Sequence, residues 1–266
     1  MKSKLNLLLI GKKSFISNLL YKNLNKKFKI KKVSYEEFKK YNDKFLKKYT
    51  HICNCSIKKQ YQKKKYSTKH DIDLKIIHRI KRLEIKYIFL SSRKVYFLNN
   101  NIKESSKLKP TCNYSKNKLI TEKKIEKILP NNHLILRISN IIGKTNIKVN
   151  SRKVSITFID NFHKLKKRKK VFYENFYKDF LSEKQFSTIF YEILKKNLKG
   201  IYNVSLGRKV FISEILHALN KNKINTKFCK LTPISNDNFV LNNQKLKSKI
   251  NIKITKKELL KYCYKI

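Results

Sequence analysis

Short apolar segments alternate with helical patterns along the first half of this 266-residue chain. Each apolar segment has the length of a buried strand, and the residues between them repeat at helical spacing, notably over 15–26, 71–84 and 115–129. The segments are "LNLLLI" (5–10), "FKIKKV" (28–33), "THICNC" (50–55), "YIFLSS" (87–92) and "LILRIS" (134–139). Strands that alternate with helices favour a parallel sheet covered on both faces, so we predict an α/β fold with a doubly wound sheet.

The pattern becomes less regular from about residue 144 onward. It indicates a basic helix at 156–168, an aromatic segment at 171–180, a helix at 183–196, a strand at 200–205 and a helix at 212–221. We expect this part of the chain to form a small region woven onto the sheet.

The net charge of +49 suggests an anionic partner, and nucleic acid is one candidate. Two features weigh against a dedicated nucleic-acid-binding protein. Lysine greatly outnumbers arginine, although base and phosphate recognition draws mainly on arginine. The abundant residue types are also those of A/T-rich codons, and the lysines spread through every segment. The charge nevertheless favours an acidic or phosphorylated ligand.

Cysteine usage and hydropathy bear on the cell compartment and on metal binding. The five cysteines contain no Cys-x-x-Cys pair, which suits a reducing cytoplasm. Cys53 and Cys55 alternate on a predicted strand, where we expect them to pack rather than to bind a metal, and we predict no metal site. No apolar run approaches the roughly 18 to 20 residues that cross a bilayer, so no membrane span is expected.

A serine, a tyrosine and a lysine form the most informative group. Ser92 ends the fourth predicted strand, and Tyr114 begins a helix that carries Lys118 four residues later, on the same helical face. A phenol titrates near about 10, and a neighbouring cation favours its phenolate. A serine hydroxyl beside them could hold the oxygen that gains or loses the proton. The Tyr-x-x-x-Lys spacing alone is weak evidence in a chain this rich in both residues, since Tyr61 and Lys65 repeat it.

Several motifs in the same order resemble the extended short-chain dehydrogenase/reductase family, in particular its NAD-dependent sugar-nucleotide epimerase, dehydratase and reductase branch. The resemblance covers about residues 4 to 216. It rests on Ser92-Arg93-Lys94-Val95-Tyr96, on Glu104, Pro110, Tyr114 and Lys118, on "LRISNIIG" (136–143) with Arg137, Asn140 and Gly143, on "YKDFLSEKQFSTIF" with Lys178 in place of an arginine, and on "KGIYNVSLGRKVFISEIL".

The resemblance implies a Rossmann-type dinucleotide-binding domain over 1–143 and a small substrate-binding region over 144–266, interwoven with the sheet. It implies that Tyr114 is the general acid/base, that Lys118 stabilises its phenolate and binds the nicotinamide ribose, and that Ser92 holds the reacting oxygen. The implied cofactor is NAD or NADP, and the implied substrate is a nucleotide-activated sugar. The site residues are then Ser92, Tyr114 and Lys118 for catalysis, Gly11, Ser14, Phe15, Ile16 and Lys118 for the cofactor, and Ser92 and Asn140 for the substrate. A homodimer is left open.

The chain departs from the family pattern in the first turn after the first strand. Of the three glycines that such a turn uses for tight turning, phosphate approach and helix packing, only Gly11 is present. Ser14 and Ser17 replace the others. Ser17 fits a packing role, whereas Ser14 either crowds a pyrophosphate or donates to it. The second strand ends without an acidic residue, and Lys31 or Lys32 near a 2′-phosphate favours NADP.

Arg93 and Lys94 stand where 4,6-dehydratases of this family carry an Asp-Glu pair, which disfavours dehydration. The expected function is therefore that of a 4-epimerase or 4-keto reductase acting in surface polysaccharide biosynthesis. Two alternatives stay open: a catalytically inactive relative that binds a nucleotide or a protein, and a basic nucleic-acid-binding protein.

Arg137, inside an apolar strand, is expected to form a buried ion pair.

Overall fold

A parallel six-stranded sheet forms the centre of the protein, as the sequence predicted. The computed structural model describes residues 5–144, 170–220, 227–231 and 238–266. Its strands are β1 Asn6–Ile10, β2 Lys29–Val33, β3 His51–Asn54, β4 Lys86–Ser92, β5 His133–Ile138, β6 Asn140–Ile142, β7 Lys170–Glu174, β8 Tyr177–Lys178, β9 Phe180–Ser182, β10 Gly200–Val204, β11 Val210–Phe211 and β12 Lys227–Leu231. The central sheet has the order β2-β1-β3-β4-β5-β10, and all of its pairs are parallel.

Helices cover both faces of this sheet. They are α1 Phe15–Leu24, α2 Tyr35–Lys39, α3 Asp43–Leu46, α4 Lys59–Lys63, α5 Ile72–Ile80, α6 Asn113–Ile128, α7 Glu183–Lys195, α8 Ile212–Asn220, α9 Gln244–Lys247 and α10 Lys256–Lys265. Leu7 and Leu9 of β1 pack with α1 and α7, whereas Leu8 and Ile10 pack with α5 and α6 on the other face. Because both faces are covered, β1 is continuously apolar. Within the described ranges, no helix is long and apolar enough to cross a membrane.

The direction of the strand order changes beside β1. The chain passes from β1 to β2 on one side, then returns past β1 to place β3, β4 and β5 on the other side. Only residues 34–50 join β2 to β3, and they hold the two short helices α2 and α3 rather than a further strand. In open α/β sheets, ligands bind at such a switch point, outside the carboxyl ends of the strands. The topology therefore predicts a ligand site at the carboxyl ends of β1 and β3.

Residues after 144 contribute to the central sheet and to three small two-stranded pairings. β10 adds to the sheet beside β5, and β6 with β9, β7 with β12 and β8 with β11 form the small pairs. Asp179 is fully buried and accepts from the backbone amides of Leu206, Gly207 and Leu241, at 2.8, 2.9 and 3.4 Å. This carboxylate ties the C-terminal segments to β9. The predicted basic helix at 156–168 lies outside the described residues, and the division at residue 143 stays a prediction.

A buried ion pair joins α6 to β5, which confirms the prediction for Arg137. Its guanidinium donates to Glu122 at 2.7 Å, and the two side chains are 4% and 1% exposed. The same guanidinium donates to the Tyr96 hydroxyl at 2.9 Å and to the Glu104 carbonyl at 3.0 Å. Ser91 of β4 donates to Glu122 from the other side. One carboxylate thus connects β4, β5, α6 and the loop that follows β4.

We expect Glu122→Gln to lower the free energy of unfolding by about 3 to 5 kcal/mol, because it leaves Arg137 buried without its counter-charge. The double variant Glu122→Leu/Arg137→Met should cost less than this single variant, since no unpaired charge then remains. Glu214→Gln, which breaks the half-exposed Lys256–Glu214 pair, is the control and should cost below about 1 kcal/mol. Urea denaturation followed by circular dichroism measures all three. A double variant no more stable than Glu122→Gln would contradict this account.

Candidate active site at the carboxyl ends of the strands

Gly11 directly follows β1, and both its backbone conformation and the closeness of the loop after β3 require glycine there. Its φ is +115°, and a Cβ added to it would lie 2.9 Å from the backbone nitrogen of Ser56 and 3.0 Å from the carbonyl carbon of Cys55. The loop after β3 therefore passes directly against the turn after β1. The Gly11 amide donates to the Val33 carbonyl at 2.7 Å, so the end of β2 also holds the turn.

Ser14 caps the helix that follows. Its hydroxyl accepts from the Ser17 amide at 3.0 Å, and its extended backbone makes it the N-cap of α1. The amides of Phe15 and Ile16, the first two residues of the helix, have no acceptor within a helix and remain available to an anion. Ser17 is fully buried, in agreement with a packing role. Ser14, which replaces the second glycine, thus caps α1.

Ser92, Tyr114 and Lys118 belong to two neighbouring elements on the far side of β3. Ser92 ends β4 and is half-buried, and its hydroxyl accepts from the Lys94 amide at 3.3 Å. Helix α6 packs against β4 and against the turn Arg93–Val95. Tyr114 is its second residue and half-buried, and Lys118 lies one turn later and is 6% exposed. The three predicted catalytic residues therefore come from elements in direct contact.

Lys118 lies among aromatic rings and close to a buried carboxylate. Its ammonium is 4.2 Å from the centre of the Phe89 ring and 5.8 Å from that of Tyr61. Asp73 on α5 is buried in the same cluster and accepts from Asn54 at 2.9 Å and from the Tyr87 hydroxyl. Burial raises the pKa of Asp73, and the positive charge of Lys118 opposes that rise.

Asp73 and the loop residues Asn54–Ser56 also lie at the candidate site, and they were not predicted from the sequence as site residues. Asn54 donates to Asp73 and accepts from the amide and hydroxyl of Ser56, the residue that touches Gly11. A chain of hydrogen bonds thus runs from α5 to Ser56, which lies against the first turn. A signal was present, since Asp73 occupies the apolar face of its helix with Ile76, Ile77 and Ile80 at spacings of three, four and seven.

The remaining predicted residues lie around the same edge of the sheet. Asn140 begins β6 and is half-buried, and its backbone amide donates to the Asp179 carbonyl at 3.3 Å. Phe15 reaches Gly143, where an added Cβ would lie 2.8 Å from its ring. Ile16 packs against the core on the α1 face.

The two lysines of β2 differ in position. Lys31 lies over the rings of Tyr41 and Phe45, whereas Lys32 donates to the Asn18 side chain of α1 at 2.7 Å. Of the two, only Lys32 is therefore on the α1 side.

We expect Gly11→Ala to destabilise the protein more than Gly200→Ala. Both glycines have positive φ, but a Cβ at Gly200 meets no atom within 4 Å. The difference between the two losses in free energy of unfolding isolates the clash with the loop at Ser56, which should cost about 1 to 3 kcal/mol. The free energy of unfolding of the two variants measures it, and equal losses would show that the loop does not press on Gly11.

Comparison with known structures supports the same fold over the whole chain. The structure is similar to UDP-N-acetylglucosamine 4-epimerase from Methanobrevibacter ruminantium M1 in complex with UDP-N-acetylmuramic acid, with 19% identity, a TM-score of 0.76 and coverage of 99% of this chain and 97% of that one. It is similar to dTDP-glucose 4,6-dehydratase from Bacillus anthracis in complex with NAD, with 16% identity, a TM-score of 0.73 and coverage of 98% and 96%. RMD from Pseudomonas aeruginosa, complexed with NADPH, gives 15% identity, a TM-score of 0.74 and coverage of 98% of both chains.

No curated protein sequence matches the chain significantly. The family model of the "NAD dependent epimerase/dehydratase family" matches residues 29–205, which include Ser92, Tyr114, Lys118 and Asn140 but not the turn at Gly11. The expectation of a nicotinamide dinucleotide is confirmed at the level of the family. Because the match covers more than half of the residues, the chain belongs to the NAD-dependent epimerase/dehydratase family.

Proposed function

We propose that this protein is an NAD(P)-dependent oxidoreductase or epimerase that acts on a nucleotide-activated sugar. The observation that carries the proposal is the contact between α6, with Tyr114 and Lys118, and β4, which ends in Ser92. These residues lie at the same edge of the sheet as the α1 N-terminus. A pathway of surface polysaccharide synthesis and a homodimer are part of the proposal and rest on the family resemblance. A cytoplasmic location is also part of it and rests on the cysteine usage.

The first turn fits a dinucleotide phosphate. Gly11 keeps side-chain atoms away from the turn, and the amides of Phe15 and Ile16 point out of the helix start. The helix dipole favours an anion at that end. We assign the phosphates to this turn and the nicotinamide ribose to Lys118. When bound, the cofactor supplies hydride transfer at a sugar carbon.

The chain's own residues then handle the proton at the sugar oxygen. Tyr114 accepts the hydroxyl proton during oxidation and returns one during reduction, while Ser92 donates a hydrogen bond to the same oxygen. The Lys118 ammonium, held on the Phe89 ring, stabilises the phenolate by its charge. Arg93 and Lys94 provide no carboxyl acid or base for loss of water. We therefore favour 4-epimerisation or 4-keto reduction over dehydration.

A second candidate is a relative without catalysis that binds a nucleotide or a protein. The observation that favours it is Ser14, whose side chain stands at the start of α1, where the family pattern has glycine.

Titration with NADH and NADPH tests the cofactor binding that the enzyme proposal requires. We expect enhanced nicotinamide fluorescence and a raised melting temperature, because a ligand that binds only the native state stabilises it. Ser14→Gly should keep both responses, since Ser14 bonds to its own helix. No response to either nucleotide at millimolar concentration would remove the enzyme proposal. Salt-sensitive DNA binding in its place would support the nucleic-acid alternative.

Tyr114→Phe should reduce turnover by about 10²- to 10⁴-fold and leave the cofactor Kd nearly unchanged, because it removes only the proton-transfer group. Turnover is followed as the epimerised sugar formed when the NAD-loaded protein is mixed with UDP-glucose or UDP-N-acetylglucosamine, because an epimerase returns its hydride in each cycle and leaves no net cofactor reduction. Tyr191→Phe, a hydroxyl deletion on α7 where the ring stacks on Phe28, is the matched control and should keep full activity. Unchanged turnover in Tyr114→Phe would contradict the assigned mechanism.

A further inference from the structure

A small cavity rich in positive charge adjoins the candidate active site. It has a volume of about 350 Å³ and lies between residues 93–98 and 109–112, and we call it the basic pocket. Three cationic residues line it, namely Arg93, Lys94 and Lys109. Among the residues that the structure describes, no acidic side chain lines it. A volume of this size falls at the lower end of the range for small-ligand pockets.

Both walls of the basic pocket continue directly into predicted catalytic residues. Arg93 and Lys94 follow Ser92 in the chain, and Cys112 precedes Tyr114 by two residues. Two residues of chain span at most about 7 Å, so both walls begin close to the backbone of Ser92 and Tyr114. The pocket is therefore a candidate for contact with a part of the sugar other than the reacting carbon.

Hydrogen bonds hold the two walls against each other. The Lys109 amide donates to the Val95 carbonyl at 3.1 Å, and the Phe97 amide donates to the Lys107 carbonyl at 3.0 Å. Lys109 also places its ammonium 5.2 Å from the centre of the Phe97 ring. The loop that carries the lysines is therefore braced, which limits the backbone entropy lost when they bind an anion.

Glu104, the acidic residue of the loop between the two walls, does not line the pocket. Glu104 turns inward, where its carboxylate accepts from the Asn203 amide at 2.8 Å. Arg93 is buried with its guanidinium 4.0 Å from the centre of the Phe239 ring, whereas Lys94 and Lys109 are exposed. At Cys112 burial acts to raise the thiol pKa, but hydrogen bonds with Ser115 and the charge of Lys94 bring the net pKa below its ordinary value. Lys94 adds to the lowering of this pKa after the Ser115 hydrogen bonds, so its charge lies near the thiol.

The geometry points to a nucleotide-activated sugar that carries a carboxylate, as in a uronic acid, with Lys94 and Lys109 as the residues that select it. This inference rests on the proposed function, because it assigns the substrate class of the same site. A carboxylate accepts charge-assisted hydrogen bonds from ammonium groups, whereas a hydroxymethyl group in its place leaves them unpaired. Specificity of this kind arises from the difference in binding free energy between the two ligands.

The test compares UDP-glucuronate with UDP-glucose, which differ only in a carboxylate against a hydroxymethyl group. Binding to the NAD-loaded protein is measured by calorimetry. We expect UDP-glucuronate to bind about tenfold tighter or more, from one charge-assisted contact. The preference should shrink as ionic strength rises, because these lysines are exposed. Equal binding of the two, or binding of neither, overturns the inference, while a retained response to NADH leaves the proposed function standing.

Charge-matched variants separate the pocket from the overall field of a +49 protein. Lys94→Gln and Lys109→Gln should each remove most of the preference, because they weaken binding of UDP-glucuronate more than binding of UDP-glucose. Lys81→Gln deletes an equal exposed charge just after α5, at the opposite end of the sheet, and should keep the preference. If all three variants reduce the preference alike, long-range attraction explains it and the pocket assignment is wrong.

Alkylation of Cys112 locates the bound carboxylate independently of turnover. Of the five cysteines, Cys112 is the exposed one. UDP-glucuronate should slow its reaction with iodoacetamide severalfold more than UDP-glucose does at the same fractional saturation, as measured by peptide mass spectrometry. Equal protection by the two nucleotides would place the carboxylate elsewhere and contradict the inference.

Discussion

A carboxylate and a guanidinium buried together must compensate one another, and Glu122 and Arg137 do so across α6 and β5. Because the guanidinium also holds Tyr96 and the Glu104 carbonyl, the loop after β4 is tied to the same pair. Tyr96 in turn donates to Asn203 of β10 at 2.8 Å. The helix that presents Tyr114 and Lys118 and the loop that forms the basic pocket therefore share one buried anchor, which relates the proposed proton-transfer group to the proposed substrate-selecting lysines.

A second constraint acts at the other half of the site, where two loops approach within van der Waals distance. Gly11 permits the contact with Ser56, and Asp73 orders that loop through Asn54. The same Asp73 lies in the cluster that surrounds Lys118. The dinucleotide turn and the nicotinamide end of the proposed site are thus connected through one buried carboxylate. This connection offers a physical reason why a turn with a single glycine can retain a defined shape.

The central strands and the long helices could be predicted because their apolar periodicity is strong. α6 begins at Asn113 and ends at Ile128, close to the predicted 115–129, and β4 ends at Ser92 as expected. The short helices α2 and α3 carry too few residues to show a period, so the passage from β2 to β3 could not be read. Asp73 was overlooked because its place at the site depends on its closeness to Lys118, which is distant in sequence. The roles assigned to Ser92, Tyr114, Lys118 and the turn residues stay predictions until they are measured.

The sequence by itself determined the local features: alternating strands and helices, a glycine where the first strand ends, and a tyrosine and lysine one helical turn apart. These follow from short-range sterics and from side-chain periodicity. Only the tertiary structure decided which separated segments meet. It placed Ser56 against Gly11, Glu122 against Arg137, and Lys94 across from Lys109 beside Ser92. Such contacts depend on the strand order and on packing between elements, and these arise from burial of the whole sheet rather than from any one segment.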